Sequence, residues 1–332
     1  MAMVLTRRMA ILAGMALTAR PAFAAETVRI GQATPALSFL PIWAARSDDS
    51  FAKHDLALTW ASIPGGDPAA LAALDAGDID LAAVGSDTAL SAIGKGQPFQ
   101  LVYALMAKMS LDVVVSKALM ARTGTKLTDP LPQRIAALKG AIIGVSAVGG
   151  TQDRAARWFA AQGGLNPKTD VQVALIGGPP AIQAALENAR IDAFVLSPPE
   201  SGIAEAAGYG VKLIDPARDF PDLRGLPNLV LAIKRNPNAA MADRITATLG
   251  ALREAGQVVT HAPDSAADRI GAKFFPKIAP AVIRAAVHSL LDGLETEGRF
   301  TPEGIAALAR FSEGSGTPVP AGEYWTNEFI PG

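Results

Sequence analysis

The chain contains no cysteine. Disulfides, thiolate metal sites and thiol nucleophiles are therefore excluded. Histidine is nearly as scarce. His54, His261 and His288 stand apart, with no His-x-x-x-His or His-Glu pair, so no spacing supports a metal centre. There is no Gly-x-Ser-x-Gly elbow to carry a hydrolase nucleophile. No Gly-Lys-Ser/Thr follows a glycine loop, and the third glycine of a dinucleotide fingerprint is missing, which removes two phosphate-binding motifs. Aromatics make up only 6% of the residues, and with abundant Ala and Gly this suits close helix–sheet packing better than an all-β fold. Thirty Lys and Arg against 31 Asp and Glu leave a formal charge of −1, and without a basic stripe there is no case for nucleic acid as partner. Neither metal nor cofactor is expected.

Long apolar runs are also absent beyond the first two dozen residues. Residues 1–24 read as an export signal: Arg7-Arg8 is the charged start, residues 9–19 are apolar, and Ala22-Phe23-Ala24 fits a small-x-small cleavage site. The mature chain is then expected to begin at Ala25. Thr6-Arg7-Arg8 fits a twin-arginine signal or a general secretory signal, and both routes stay open. The mature protein is expected to be soluble, periplasmic and monomeric.

What is present is a repeated α/β unit. In residues 141–165, an apolar β-branched run is broken by Gly149-Gly150, and Thr151-Gln152-Asp153 opens an amphipathic helix. Thr151 is the expected N-cap, and Asp153 suits the positive end of the helix dipole. Residues 65–87, GGDPAALAALDAGDIDLAAVGSD, align without a gap to residues 177–199, GGPPAIQAALENARIDAFVLSPP, at an offset of 112. The Gly-Gly-x-Pro-Ala break and the Ile79-Asp80/Ile191-Asp192 strand start coincide. Upstream, Ile30-Gly31 and Ile143-Gly144 open comparable strand–loop–helix units. One supersecondary unit used twice implies two similar lobes. Asp80 is expected to make a structural hydrogen bond at the strand entrance. Strands near 101–106 and 112–115, and one at 229–233 after a turn-rich 221–228, are expected to cross between lobes. Helices fill the chain from about residue 238, and Tyr324, Trp325 and Phe329 hold a C-terminal tail against a lobe. The expected division is 25–108 and 228–332 for the first lobe, with 109–227 for the second.

Four strand ends turn into helix starts at 36–39, 85–88, 150–153 and 197–200, two in each lobe. If the lobes face each other, these turns line a cleft with binding equipment and no catalytic equipment. The candidate ligand-binding residues are Ser38, Phe39, Gly85, Ser86, Asp87, Thr88, Gly150, Thr151, Gln152, Asp153, Ser197, Pro198 and Glu200. The helix starts at Ser86 and Thr151 argue for an anionic or strongly polar head on the ligand, while Asp87, Asp153 and Glu200 argue against a ligand that is anionic all over.

The stretches IGQATPALSFLPIWAA, GGDPAALAALDAGDIDLAAVGSD, LKGAIIGVSAVGGTQD and ALENARIDAFVLSPPE together resemble periplasmic solute-binding proteins of the NMT1/SsuA/TauA type. The resemblance runs along nearly the whole mature chain. It implies a type II periplasmic binding protein fold: two lobes, each a mainly parallel sheet flanked by helices, joined by two crossovers and closing by hinge motion. It further implies no enzyme, a small-molecule ligand of the sulfonate, taurine, nitrate or pyrimidine kind, and an inner-membrane ABC permease as partner. The turns at Gly149-Gly150-Thr151 and Gly85-Ser86-Asp87 would lie at the ligand. Where the family often has Trp-Glu-Pro, this chain has Ser197-Pro198-Pro199-Glu200, which takes an aromatic out of the expected wall. The same resemblance covers thiamine-pyrimidine synthases, enzymes with a cysteine-rich iron motif that this chain lacks. A ligand-sensing module for a receptor is the other alternative.

Overall fold

A computed structural model describes residues 25–314 and 324–332; the export signal read in residues 1–24 lies outside them. Ten strands form two sheets. β1 (Glu26–Gln32), β2 (Leu56–Ser62), β3 (Leu81–Gly85), β4 (Phe99–Lys108) and β10 (Arg224–Lys234) make the first, in the order β2-β1-β3-β10-β4. β5 (Asp112–Ser116), β6 (Ile142–Val145), β7 (Gln172–Leu175), β8 (Ala193–Leu196) and β9 (Gly210–Ile214) make the second, in the order β7-β6-β8-β5-β9. Within each sheet one strand, β10 or β5, runs against the rest, so both are mainly parallel. The central strands are buried on both faces, which is why they read as continuous apolar runs rather than alternating ones.

The repeat is real down to single atoms. Asp80 accepts the backbone N–H of Arg29 at the entrance to the first sheet (2.8 Å), and Asp192 accepts that of Ile142 at the entrance to the second (3.0 Å). This is the structural hydrogen bond expected of Asp80. A Cβ on Gly31 would lie 2.5 Å from Ile79 Cδ1, and one on Gly144 would lie 2.6 Å from Ile191 Cδ1. Both glycines thus make room for the same isoleucine of the Ile-Asp pair.

In each lobe, helices follow the carboxyl ends of the corresponding strands. Leu40–Ser47, Gly66–Ala76 and Ser86–Gly94 follow β1, β2 and β3; Thr151–Gln162, Pro179–Glu187 and Glu200–Ala207 follow β6, β7 and β8. Parallel sheets put ligand sites at these ends. The chain crosses to the second sheet at 109–111 and returns through 215–223. The helices Ala239–His261, Pro263–Phe274 and Pro280–Leu290 pack on the first lobe, sharing a core with Val28, Leu40 and Trp43. The C-terminal tail runs along the edge of the first sheet, where Leu101 N–H donates to the Tyr324 carbonyl (2.9 Å) and Trp325 packs on Phe300.

Two local readings are corrected. The return strand was expected at 229–233, but β10 starts at Arg224, because irregular register absorbs Gly225 (φ +77°) and Pro227 within a bulged strand instead of a turn. Thr151 is not an N-cap. Gly150 occupies that position, and Thr151 is the first helical residue, with its hydroxyl turned away from its own helix. The three histidines take ordinary surface partners: His54 pairs with Glu254, His288 with Asp264, and His261 Nδ1 sits 2.7 Å from the Gln257 carbonyl.

Candidate ligand-binding cleft

The carboxyl ends of the two sheets face each other across one small cavity of about 40 Å³. The first lobe contributes Ser38 and Phe39 from the turn before Leu40–Ser47, together with Thr34, Ala36, Gly66 and Asp67. The second contributes Gly150, Thr151, Gln152, Ser197 and Glu200, with Ser146, Ala147, Pro179 and Leu196. Leu111 and Leu229 close the floor near the crossings. Seven of the thirteen sequence candidates thus meet in one place: Ser38, Phe39, Gly150, Thr151, Gln152, Ser197 and Glu200. The aromatic wall is Phe39, from the first lobe.

The other six lie elsewhere. Gly85, Asp87 and Thr88 sit just behind the cavity, against Thr151 of the opposite lobe, and Ser86 is buried in the same turn. Asp153 accepts the Gly149 N–H (2.8 Å) and pairs with Arg157 (2.7 Å), so it serves its own loop and helix. Pro198 lines a separate groove on the far side, between Glu200–Ala207 and Pro280–Leu290.

The junction behind the cavity joins the lobes directly. The Thr151 hydroxyl donates to Asp87 Oδ1 (2.8 Å), and the Thr88 hydroxyl lies 3.0 Å from Thr151 Oγ1 and 3.4 Å from Asp67 Oδ2. Arg154, on the same helix as Thr151, reaches across to the Ser91 hydroxyl (2.9 Å) and stands 3.6 Å from Asp87. Burial pushes the Asp87 carboxyl up to about 6 despite the Arg154 charge and the Thr151 hydrogen bond.

Asp67 is the site residue that sequence reasoning missed. One carboxylate oxygen accepts the Gly85 N–H (3.1 Å) and the other accepts the Thr151 N–H (3.0 Å). Neither helix start, Ser86–Gly94 nor Thr151–Gln162, has a side-chain cap of its own. Asp67 therefore supplies one anion to both positive helix ends, from opposite lobes, in the way a bound acid would. The anionic head expected of a ligand finds one donor at each helix start already taken. The signal was available: Asp67 stands in the repeat where its twin is Pro179, and both line the cavity.

Buried acids give this protein an unusual pH response. Burial also raises Asp112, at the crossing, to about 6 against the opposing pull of Lys212. A carboxyl whose folded pKa lies above its unfolded value of about 4 adds stability that is full below the unfolded value and lost as pH rises through the folded one. Unfolding midpoints of the unliganded protein are thus expected to be higher at pH 5 than at pH 7.5. Asp87→Asn and Asp112→Asn should each shrink the difference; an equal difference in both variants would show the acids are not its source.

The NMT1-like family profile matches residues 23–273. The chain belongs to the NMT1-like family. No curated protein matches its sequence. Among solved structures, a protein of Bordetella bronchiseptica RB50 is similar at 25% identity and TM-score 0.76, covering 92% of this chain and 95% of its own. A zinc-bound ligand-binding component of an ABC-type import system from Staphylococcus aureus follows at 14% identity, TM-score 0.73, with 92% and 98% covered. The alkanesulfonate-binding protein SsuA of Xanthomonas axonopodis pv. citri, bound to MOPS, has 20% identity and TM-score 0.70, with 90% and 96% covered. The two-lobe periplasmic binding protein fold of this family member is thereby established. The fold also carries chemistry elsewhere, as in a desulfurization enzyme at 15% identity and TM-score 0.61. Among the described residues, no three His, Cys, Asp or Glu side chains gather as a metal site, and no helix is long and apolar enough to cross a membrane.

Proposed function

We propose that this chain is an extracytoplasmic solute-binding protein. It captures one small organic molecule between its lobes and presents the closed form to the permease of an ABC importer. The observation that carries this reading is that both lobes line one cavity and are held shut behind it by Thr151, whose partners Asp67, Asp87 and Thr88 all belong to the other lobe. In this reading the lobes turn about the connections at 109–111 and 215–223, and ligand binding shifts the equilibrium from open to closed. Ser38, Phe39, Gly150, Thr151, Gln152, Ser197 and Glu200 touch the solute. Gly85, Ser86, Asp87 and Thr88 form the latch behind it. The chain acts as a monomer in the periplasm after removal of residues 1–24. The Staphylococcus and Xanthomonas proteins support this role through the fold they share with it.

Purified mature protein, screened by thermal shift against small organic solutes, is expected to bind one molecule per chain. A ligand at a hundred times its Kd should stabilise the fold by about 2.7 kcal/mol. Mass spectrometry of the released solute should show it unchanged; conversion to a product would overturn the non-catalytic reading.

A further inference from the structure

We propose that the cleft is built for a solute presenting an amino or other positively charged group, and not for an anion; the proposal rests on the solute-binding reading above. Three independent features point this way. At each of the two facing helix ends one backbone N–H that an anion would use, that of Gly85 and that of Thr151, is spent on Asp67. Asp67 and Glu200 both line the cavity, and among the described residues no Lys, Arg or His does so. Lys108 turns to Asp292 and the Ser289 carbonyl, and Arg154 turns to Ser91 and Asp87, so the nearby cations already answer other groups. An anion entering here would meet two carboxylates in a poorly solvated space with no charge to offset them.

The cavity is nonetheless prepared for a polar ligand. The hydroxyls of Ser38 (0% exposed) and Ser146 (8% exposed) line it, one from each lobe, and neither has a hydrogen-bond partner. A buried hydroxyl left unpaired is costly, so each calls for a partner that arrives with the solute. A carboxylate offers about four lone-pair positions. Asp67 uses two on backbone donors and has the Thr88 hydroxyl 3.4 Å from Oδ2, and one Glu200 oxygen accepts from Gln183 Nε2 (2.6 Å), so both acids retain acceptor capacity for an incoming N–H. Phe39 and Leu111 provide an apolar wall for the rest of the molecule. The geometry suits an ammonium or amidinium group on a small apolar body.

The test uses probes matched in body and opposite in charge: butylamine, benzylamine and benzamidine against butanesulfonate, benzenesulfonate and benzoate. Calorimetric titration of the mature chain is expected to show binding by one or more of the cationic series and none by the anions. Asp67→Asn and Glu200→Gln should each weaken the cation at least tenfold with the unliganded unfolding midpoint retained. Asp67→Ala, which frees the Gly85 and Thr151 N–H groups, should gain anion binding that the wild type lacks. Anion binding by the wild type, or cation binding untouched in both the Asp67→Asn and Glu200→Gln variants, would overturn the proposal while leaving solute capture standing. Silence from both series would contradict solute capture itself, and the charge preference would fall with it.

Discussion

Gly85→Ala is expected to abolish tight closure while leaving both lobes folded. Gly85 has φ −69° and ψ 133°, a conformation any residue adopts, so the substitution carries no backbone strain. The obstacle lies across the cleft. A Cβ at this position would sit 2.6 Å from Thr151 Cβ and 2.9 Å from its Cγ2, and a rotamer change cannot move the Cβ of a residue already fixed in a helix. The lobes must therefore separate to make room. Overpacking of this kind costs about 1–3 kcal/mol, or roughly a 5- to 150-fold loss of affinity for any solute bound in the closed form. Calorimetry gives the affinity, and circular dichroism with the unliganded unfolding midpoint checks the fold. Wild-type affinity in this variant would mean that the solute is held without the Gly85–Thr151 contact.

Arg134→Met is expected to be the most damaging single change for stability. Arg134 and Asp219 are both nearly inaccessible, with side chains 7% and 4% exposed, and form a two-pronged pair at 2.7 and 3.0 Å. The same guanidinium donates to the Leu213 carbonyl at the end of β9, which ties the second sheet to the segment that begins the return crossing. Burial alone would raise the Asp219 carboxyl, but hydrogen bonds from Arg218, Arg134 and the Asp215 N–H outweigh it and hold the pKa well below the usual carboxylate range. Removing one partner of a buried pair typically costs about 3–5 kcal/mol, and Arg218 and the Asp215 N–H, which stay on Asp219, place the expected loss toward the lower end. In a protein of this size that is roughly a 6–20 °C fall in unfolding midpoint. The double change Arg134→Met with Asp219→Leu should recover most of the loss. The Asp219 contribution has the opposite pH sense to those of Asp87 and Asp112: its folded pKa is depressed, so its stability is present above the unfolded value and lost as pH falls through the folded one. A fall under 1 kcal/mol in the single variant would show that the pair is replaceable by water.

The architecture was legible because it is written twice. The break at Gly65-Gly66 and Gly177-Gly178, and the Ile-Asp strand starts at 79–80 and 191–192, mark the same strand–helix unit. The structure shows why each letter recurs: the aspartate caps a sheet entrance, and the isoleucine packs on Gly31 or Gly144. Single-residue roles at the cleft were less legible, for a physical reason. Thr151 had the local pattern of an N-cap, but its hydroxyl serves the other lobe, and no local window contains Asp87, 64 residues away. Asp67 reads in the sequence as part of the Gly-Gly-x-Pro break before a helix, whereas it occupies the first turn of Gly66–Ala76. Its effect on ligand charge arises only when two helix ends from different lobes converge on it. The short helices Lys117–Thr123 and Leu131–Ala136 carried too few turns to show a period.

The central claim is that the lobes close on a solute, and a distance between them tests it most directly. The chain has no cysteine of its own, so Ala61→Cys on β2 and Leu175→Cys on β7 place two spin labels at exposed positions, one in each lobe. Pulsed dipolar spectroscopy with saturating bound solute is expected to give a shorter and narrower distance distribution than the unliganded protein gives. Gly85→Ala should keep the long distance under the same conditions. Identical distributions with and without solute, in a protein shown by calorimetry to have bound it, would contradict capture by closure.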